Sequence, residues 1–383
     1  MIMNKLRSRI CPLFFLILVL LLAGCTNRHT TLESFLDTPK HHASNGFSFL
    51  HRGQISDAER EFQSALRLDP FFSQAHCGLG LIAGMREEYD TAFKSMALAR
   101  DYAKTEKDRL MVAVGEMRLY TMRKKGKWLD RVESLFEEAQ KSQKGSAEAY
   151  YYLGEAYRQA YRFEKAEKAF KKVLALNSGL FWQANRQSRL IGKILKAMPA
   201  SVAGKGIALK ESLTRADVAV LIVEELKLDK IYQDLAHQTK GFHLPQELLD
   251  SSKLTPLPAD VKAHPLRKDI ENVLQLGVHG LELFADGSFR PEQPVCRAEY
   301  AVILAGIVSE IRNGPALNTQ FSEAESPFVD IVNDDPHFSA VMLCTGKMNI
   351  MGPRQGVFNP GGDISGADAL MALQNLKRAL DIH

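Results

Sequence analysis

Three regimes of hydrophobic patterning divide the chain. Residues 12–24, "PLFFLILVLLLAG", are apolar without interruption and follow Lys5, Arg7 and Arg9. Residues 26–38 are mostly polar and carry no period. From Pro39 onward, apolar residues recur at three- and four-residue steps, the spacing of a helix with one buried face. Gly and Pro interrupt this pattern at intervals, and it predicts an all-α fold of short helices.

Within residues 39–180 the helical pattern itself repeats. Gly46, Phe49, Ala58, Phe62 and Ala65 are each matched 34 residues later by Gly80, Ala83, Ala92, Met96 and Ala99. Leu153, Gly154, Tyr157, Ala166, Phe170 and Val173 keep the same internal spacing. Gly80 and Gly154 lie 74 residues apart, six more than two such periods. The unit between them is therefore irregular, with a long turn through "RKKGKW" and a second helix holding Val132, Phe136 and Ala139. Small residues such as Gly46 and Ala58 allow close helix approach, Phe62 fills the groove between units, and Pro70 blocks continuation of the second helix. This resembles the tetratricopeptide repeat (TPR), built of helical hairpins. The resemblance implies a TPR-like helical-hairpin solenoid whose curved surface binds a protein partner. "FWQANRQSRLIGKILKAM", from Phe181, would cap the stack before Pro199.

The second half repeats on a different period. "LTRADVAVLIVEEL" begins at Leu213, "VCRAEYAVILAGIV" at Val295 and "ISGADALMALQNLK" at Ile364. Phe289 and Phe358, Pro291 and Pro360, and Arg297 and Gly366 are each 69 residues apart. Each unit reads as an Asp, a helix, a Gly, a Phe-x-Pro loop and a second helix. This resembles the S-layer homology (SLH) module, which implies three copies folded into one helical body. Two nearly complete copies are expected, at about 257–312 and 326–381. The first copy is truncated and would borrow the helix near Ile191.

Capping explains part of this motif. Thr214 with Asp217, and Ser365 with Asp368, are Ser/Thr-x-x-acid pairs that satisfy free N–H groups at a helix start, and Cys296 with Glu299 is a weaker version. Capping leaves Arg215 and Arg297 unexplained, because a cation is disfavoured at the positive end of a helix dipole. A guanidinium beside exposed N–H groups suits a shared anionic ligand. The S-layer homology resemblance implies that this Arg binds cell-wall polysaccharide, often through an acidic substituent. Carried over by position, the glycan-binding candidates are Arg215, Arg297, Asp260, Asp330, Gly280 and Gly352. Pro265 and Phe338 stand where the family usually has Trp, and Gly366 stands where Arg is expected. Two grooves are therefore expected, with Gly366→Arg a route to restoring the third.

The N-terminal run has the layout of a secretory signal. Its ending, Leu22-Ala23-Gly24-Cys25, resembles a bacterial lipoprotein cleavage box whose Cys25 becomes lipidated. Cleavage, or retention as an anchor helix, would equally place the bulk of the chain outside the cytoplasm. The expected organisation is a signal over 1–24, a tether over 25–38, repeats with their capping helix over 39–198, and the terminal module over 199–383. Thr26 is not the Asp that often retains lipoproteins in the inner membrane, which favours an outer membrane facing the periplasm.

Without residues 1–24 the chain carries 46 Lys and Arg against 45 Asp and Glu, a balance unlike that of a nucleic-acid binder. Residues 26–200 hold 29 basic and 21 acidic side chains, and residues 201–383 hold 17 and 24, so the halves are suited to different partners. The cluster from Lys165 to Lys196 suits an acidic partner, or is a solvated face. Cys77, Cys296 and Cys344 have no metal-ligand spacing and form no disulfide framework, although a Cys296–Cys344 bridge is open. His41-His42 lack zinc-ligand company. Asn333-Asp334-Asp335 begin no calcium loop. Phosphate-loop, dinucleotide and nucleophile-elbow motifs are absent. The sequence thus predicts no enzyme, cofactor or metal, but an envelope lipoprotein with a protein partner, a cell-wall glycan and a membrane anchor. The competing expectation is a lipid-tethered assembly scaffold whose terminal module binds no glycan.

Overall fold

The computed structural model describes residues 37–238, 257–312, 321, 324–346, 348–353 and 356–382. The expected signal, Cys25 and the expected tether through residue 36 lie outside the described residues. Among the described residues the chain is all-α, with two isolated bridges and no strand. It divides into two compact units, residues 1–123 and 124–383.

In the first unit, Thr38 caps α1 (Pro39–His51) by accepting from the His41 N–H, and α1 packs on α2 (Ile55–Leu68) as a hairpin. A second hairpin joins α3 (Ser73–Met85) to α4 (Tyr89–Asp101), and α5 (Glu106–Arg123) packs on both. Phe62 of α2 accounts for Gly46, as Met96 of α4 does for Gly80, whose Cβ would lie 3.3 Å from the Met96 Cγ. A Cβ on Gly46 would lie 2.6 Å from the Phe62 Cε1, and one on Gly78 of α3 would overlap the Phe62 ring. The buried phenyl is clamped between helices that approach because each presents a bare backbone there.

The second unit opens with α6 (Trp128–Ser142), α7 (Ala147–Gln159) and α8 (Phe163–Ala175), followed by α9 (Phe181–Ala197). The second helix of the irregular repeat is α6, with Val132, Leu135 and Ala139 buried. Phe170 of α8 meets Gly154 of α7 as Phe62 meets Gly46, at 2.8 Å from the position of a Cβ. The chain continues through α10 (Val202–Ile207) and α11 (Arg215–Val220), which runs into a π-helical turn (Leu221–Leu226), and then α12 (Leu228–Gln238). The last four described helices are α13 (Arg267–Gln275), α14 (Arg297–Arg312), α15 (Phe338–Thr345) and α16 (Gly366–Ala379).

A single apolar core runs from Phe163 to Leu376. The boundary expected at Pro199 falls inside it, because α9 packs on both α8 and α16. Lys193 of α9 bonds Asp368 of α16 at 2.7 Å. Buried Glu225, in the π-helical turn, accepts from the N–H groups of Ala200 and Ser201 at 2.9 and 2.8 Å and fastens the connection after α9. The single added residue of a π-helical turn rotates the following side chains relative to an α-helix.

The starts of α11, α14 and α16 meet at one place. Leu213 N–H donates to Ile364 at 3.1 Å, Ile364 N–H to Val295 at 3.3 Å, and Val295 N–H to Leu213 at 2.8 Å. Two positions along each segment, Arg215 N–H donates to Gln293, Arg297 N–H to Gly362 and Gly366 N–H to Lys210. Equivalent residues of the three related segments therefore bond one another in a cycle.

Candidate functional site

The Phe-x-Pro loops are set by the residues singled out in the sequence. Asp260 accepts from the N–H groups of Phe289 and Arg290 at 3.1 and 2.7 Å, and Asp330 accepts from those of Phe358 and Asn359 at 3.0 and 2.6 Å. Arg215 donates from Nε to the Phe289 carbonyl at 2.9 Å and from its two terminal nitrogens to the carbonyls of Gly280 and Glu282 at 2.9 and 2.8 Å. Its guanidinium stacks on the rings of Phe284 and Phe289, with centroids 4.8 and 4.7 Å away. Arg297 repeats the arrangement, donating to Phe358 at 2.8 Å and Gly352 at 3.2 Å over the Phe358 ring. Arg215 and Arg297 are 8 % and 3 % exposed, so these six residues form two loop anchors rather than an open row of ligand-binding side chains.

This geometry changes the expected role of the two arginines. The helix N–H groups beside them are occupied: Arg215 and Ala216 donate to Gln293 and Pro291, and Arg297 and Ala298 to Gly362 and Pro360. Each arginine sits in a first turn because loop carbonyls gather over that helix start. Their partial negative charge offsets the unfavourable dipole. Burial lowers the proton affinity of the Arg215 guanidinium, and the neighbouring Glu282 and Glu299 carboxylates work against this.

A cavity of about 270 Å³ opens beside Arg215. Gly280, Glu282 and Phe284 line it from the loop, Glu299, Val302 and Ile303 from α14, and His337 from the start of α15. Glu282 accepts from the Gly280 N–H at 2.7 Å, and Glu299 from the Cys296 N–H at 2.8 Å. With two carboxylates to one engaged guanidinium, the wall suits hydroxyl and amide groups better than a bare anion. The sequence marks Glu299 only as a capping acid and gives no sign of Glu282, Gln293 or His337. Phe284, five positions before the loop Phe, was the available signal, since a second aromatic there can sandwich a guanidinium.

The third copy has no such anchor. A Cβ on Gly366 would collide with the carbonyl oxygen of Ile207, because the end of α10 lies against the start of α16. The Gly366→Arg exchange expected to restore a site therefore has no space. Phe338 is buried and Pro265 exposed. The capping pairs form as read: Thr214 and Asp217 make a reciprocal box, and Ser365 accepts from the Asp368 N–H.

Cys77, Cys296 and Cys344 are unbridged, and burial pushes the Cys344 thiol up to about 12. Among the described residues no group of His, Cys, Asp and Glu could hold a metal ion. His42 instead lies between Asp37 and Glu61, 2.8 Å from each.

No curated protein matches the chain. Two segments match family models described as tetratricopeptide repeat, residues 47–104 and residues 147–180. They run from the end of α1 through α4 and across the α7–α8 hairpin, the segments that hold Phe62 and Phe170, and these parts of the chain match the tetratricopeptide repeat.

Proposed function

We propose that the protein is a non-enzymatic envelope adaptor, anchored by lipid at Cys25 and facing the periplasm from an outer membrane. Its tetratricopeptide hairpins bind a protein partner, as stacked hairpins commonly do. Its terminal module, which resembles the S-layer homology module, holds cell-wall glycan in the cavity beside Arg215. The observation carrying the glycan reading is that cavity: polar groups from three elements converge on a space of about 270 Å³ with an aromatic wall at Phe284.

The test is sedimentation of the protein with purified wall sacculi. Val302→Trp fills the cavity from the half-exposed face of α14 and leaves the arginine anchors intact. Wild type should sediment and the variant should remain in solution. A second reading is a lipid-tethered assembly scaffold whose terminal module binds no glycan. The engagement of Arg215 and Arg297 by loop carbonyls favours it. It is adopted if wild type never sediments with sacculi.

A further inference from the structure

Neither the hairpin surface nor the cavity accounts for the exposed side of α9. From Lys168 to Lys210 the sequence contains no Asp or Glu and nine Lys and Arg. Trp182, Arg186, Arg189, Lys193 and Lys196 follow one another at steps of four and three and are all exposed. That spacing places them on one face of α9, over about 21 Å at 1.5 Å per residue. Asp368 neutralises Lys193, but among the described residues no carboxylate pairs with Arg186, Arg189 or Lys196.

The apolar end of this stripe is also open. Trp182 is 77 % exposed and touches Phe181 edge-on, and Leu176, closing α8 across the turn, is 44 % exposed. Lys172 lies one helical turn before Leu176 and Arg186 one turn after Trp182, so cations stand about 6 Å behind the apolar tip on both helices. A protruding indole backed by cations matches the layering of a bilayer surface. Trp favours the interface, and Lys and Arg meet the phosphates beside it.

We propose that the α8–α9 tip and the cationic face of α9 form a docking site for an anionic lipid surface, with Trp182 entering the headgroup layer. An acidic protein or polymer would satisfy the cations, but it would not require an exposed Trp and Leu at the turn between α8 and α9. The inference rests on this surface alone and stands whether or not Cys25 is lipidated or the terminal module binds glycan.

The experiment uses the chain from Thr26 onward with Trp128→Phe, which leaves Trp182 as the sole indole. It is mixed with phosphatidylcholine vesicles with and without phosphatidylglycerol. Sedimentation should occur only with phosphatidylglycerol, weaken with salt, and shift Trp182 emission to the blue. Arg186→Gln with Arg189→Gln should lower partitioning roughly twenty-five-fold, at about five-fold per cation near the surface. Trp182→Ser, in the chain that retains Trp128, should weaken sedimentation while leaving helical circular dichroism unchanged. Failure to sediment with phosphatidylglycerol, or unaltered sedimentation of both variants, overturns the proposal. Loss through the arginines alone, without an emission shift in Trp182, also overturns it and assigns the stripe to an acidic polymer or protein.

Discussion

The Nε–H of Arg215 ends on the carbonyl of Phe289 at 2.9 Å, 74 positions along the chain. The N–H of the same Phe289 ends on Asp260 at 3.1 Å. A cation and an anion thus hold one residue by its two backbone groups. A buried loop without a strand partner must satisfy its N–H and C=O in some such way. Arg297, Phe358 and Asp330 form the second instance.

Arg215→Ala should therefore destabilise the second unit rather than act only on a ligand. Removing the guanidinium strands three carbonyls and unstacks two rings, at a cost of about 3 kcal/mol. A fall in melting temperature of roughly 5–10 °C is expected. Arg215→Ala and Asp260→Ala should be less than additive, since each frees the same loop. Denaturant titration of the four proteins measures this, and full additivity would show that the loop is held elsewhere.

Gly366→Ala should already lower stability, by about 2 kcal/mol or more, because the new methyl meets backbone rather than a movable side chain. Gly366→Arg should lower it further and add no wall binding. A variant as stable as wild type would mean that α10 yields at Ile207.

Cutting the chain at 198 and cutting it at 123 should differ. Residues 124–383 should melt cooperatively. Residues 39–198 should bind a hydrophobic dye and melt early, because α9 then lacks the cover of α16. Circular dichroism melts of both fragments decide whether the hairpins stand without the terminal module.

Stability of the first hairpin should fall as pH rises through neutrality. Burial lowers the His42 pKa, but the hydrogen bonds to Asp37 and Glu61 outweigh it and leave the net shift upward from 6.5. With the folded value above the unfolded one, the contribution is complete below pH 6.5 and is lost as pH passes the folded value. Thermal melts from pH 6 to pH 8 should show the decline, and His42→Gln should flatten it. Equal slopes in both proteins would exclude His42 as the source.

Much of the fold was legible because helical hairpins write themselves in side chains. Gly46 and Phe62 are a small and a large residue at fixed spacing, and the structure puts one against the other. The arginines were visible as an anomaly, but their explanation was not. Their partners are main-chain carbonyls at Gly280, Glu282, Phe289, Gly352 and Phe358, and a carbonyl leaves no mark on residue type. The continuity across Pro199 was half legible: the truncated first copy pointed to the helix near Ile191, but an apolar face suited to capping looks the same whether one neighbour covers it or two, so a boundary was still expected at Pro199. The part played by Glu225 depends on a π-helical turn that no periodic reading of "LIVEEL" predicts.

The cycle through Leu213, Val295 and Ile364 has a consequence for how such a chain can change. A stack of hairpins is open at its end, and a unit can be gained or lost there at the cost of one interface. A closed cycle has no end. Deleting the segment at Ile364 would not shorten it but leave Leu213 without an acceptor and Val295 without a donor, so copy number is locked at three. Because the closure is main chain to main chain, the side chains around it remain free to drift. Gly366 can stand where an arginine stood in its sister segments, and the ring still shuts.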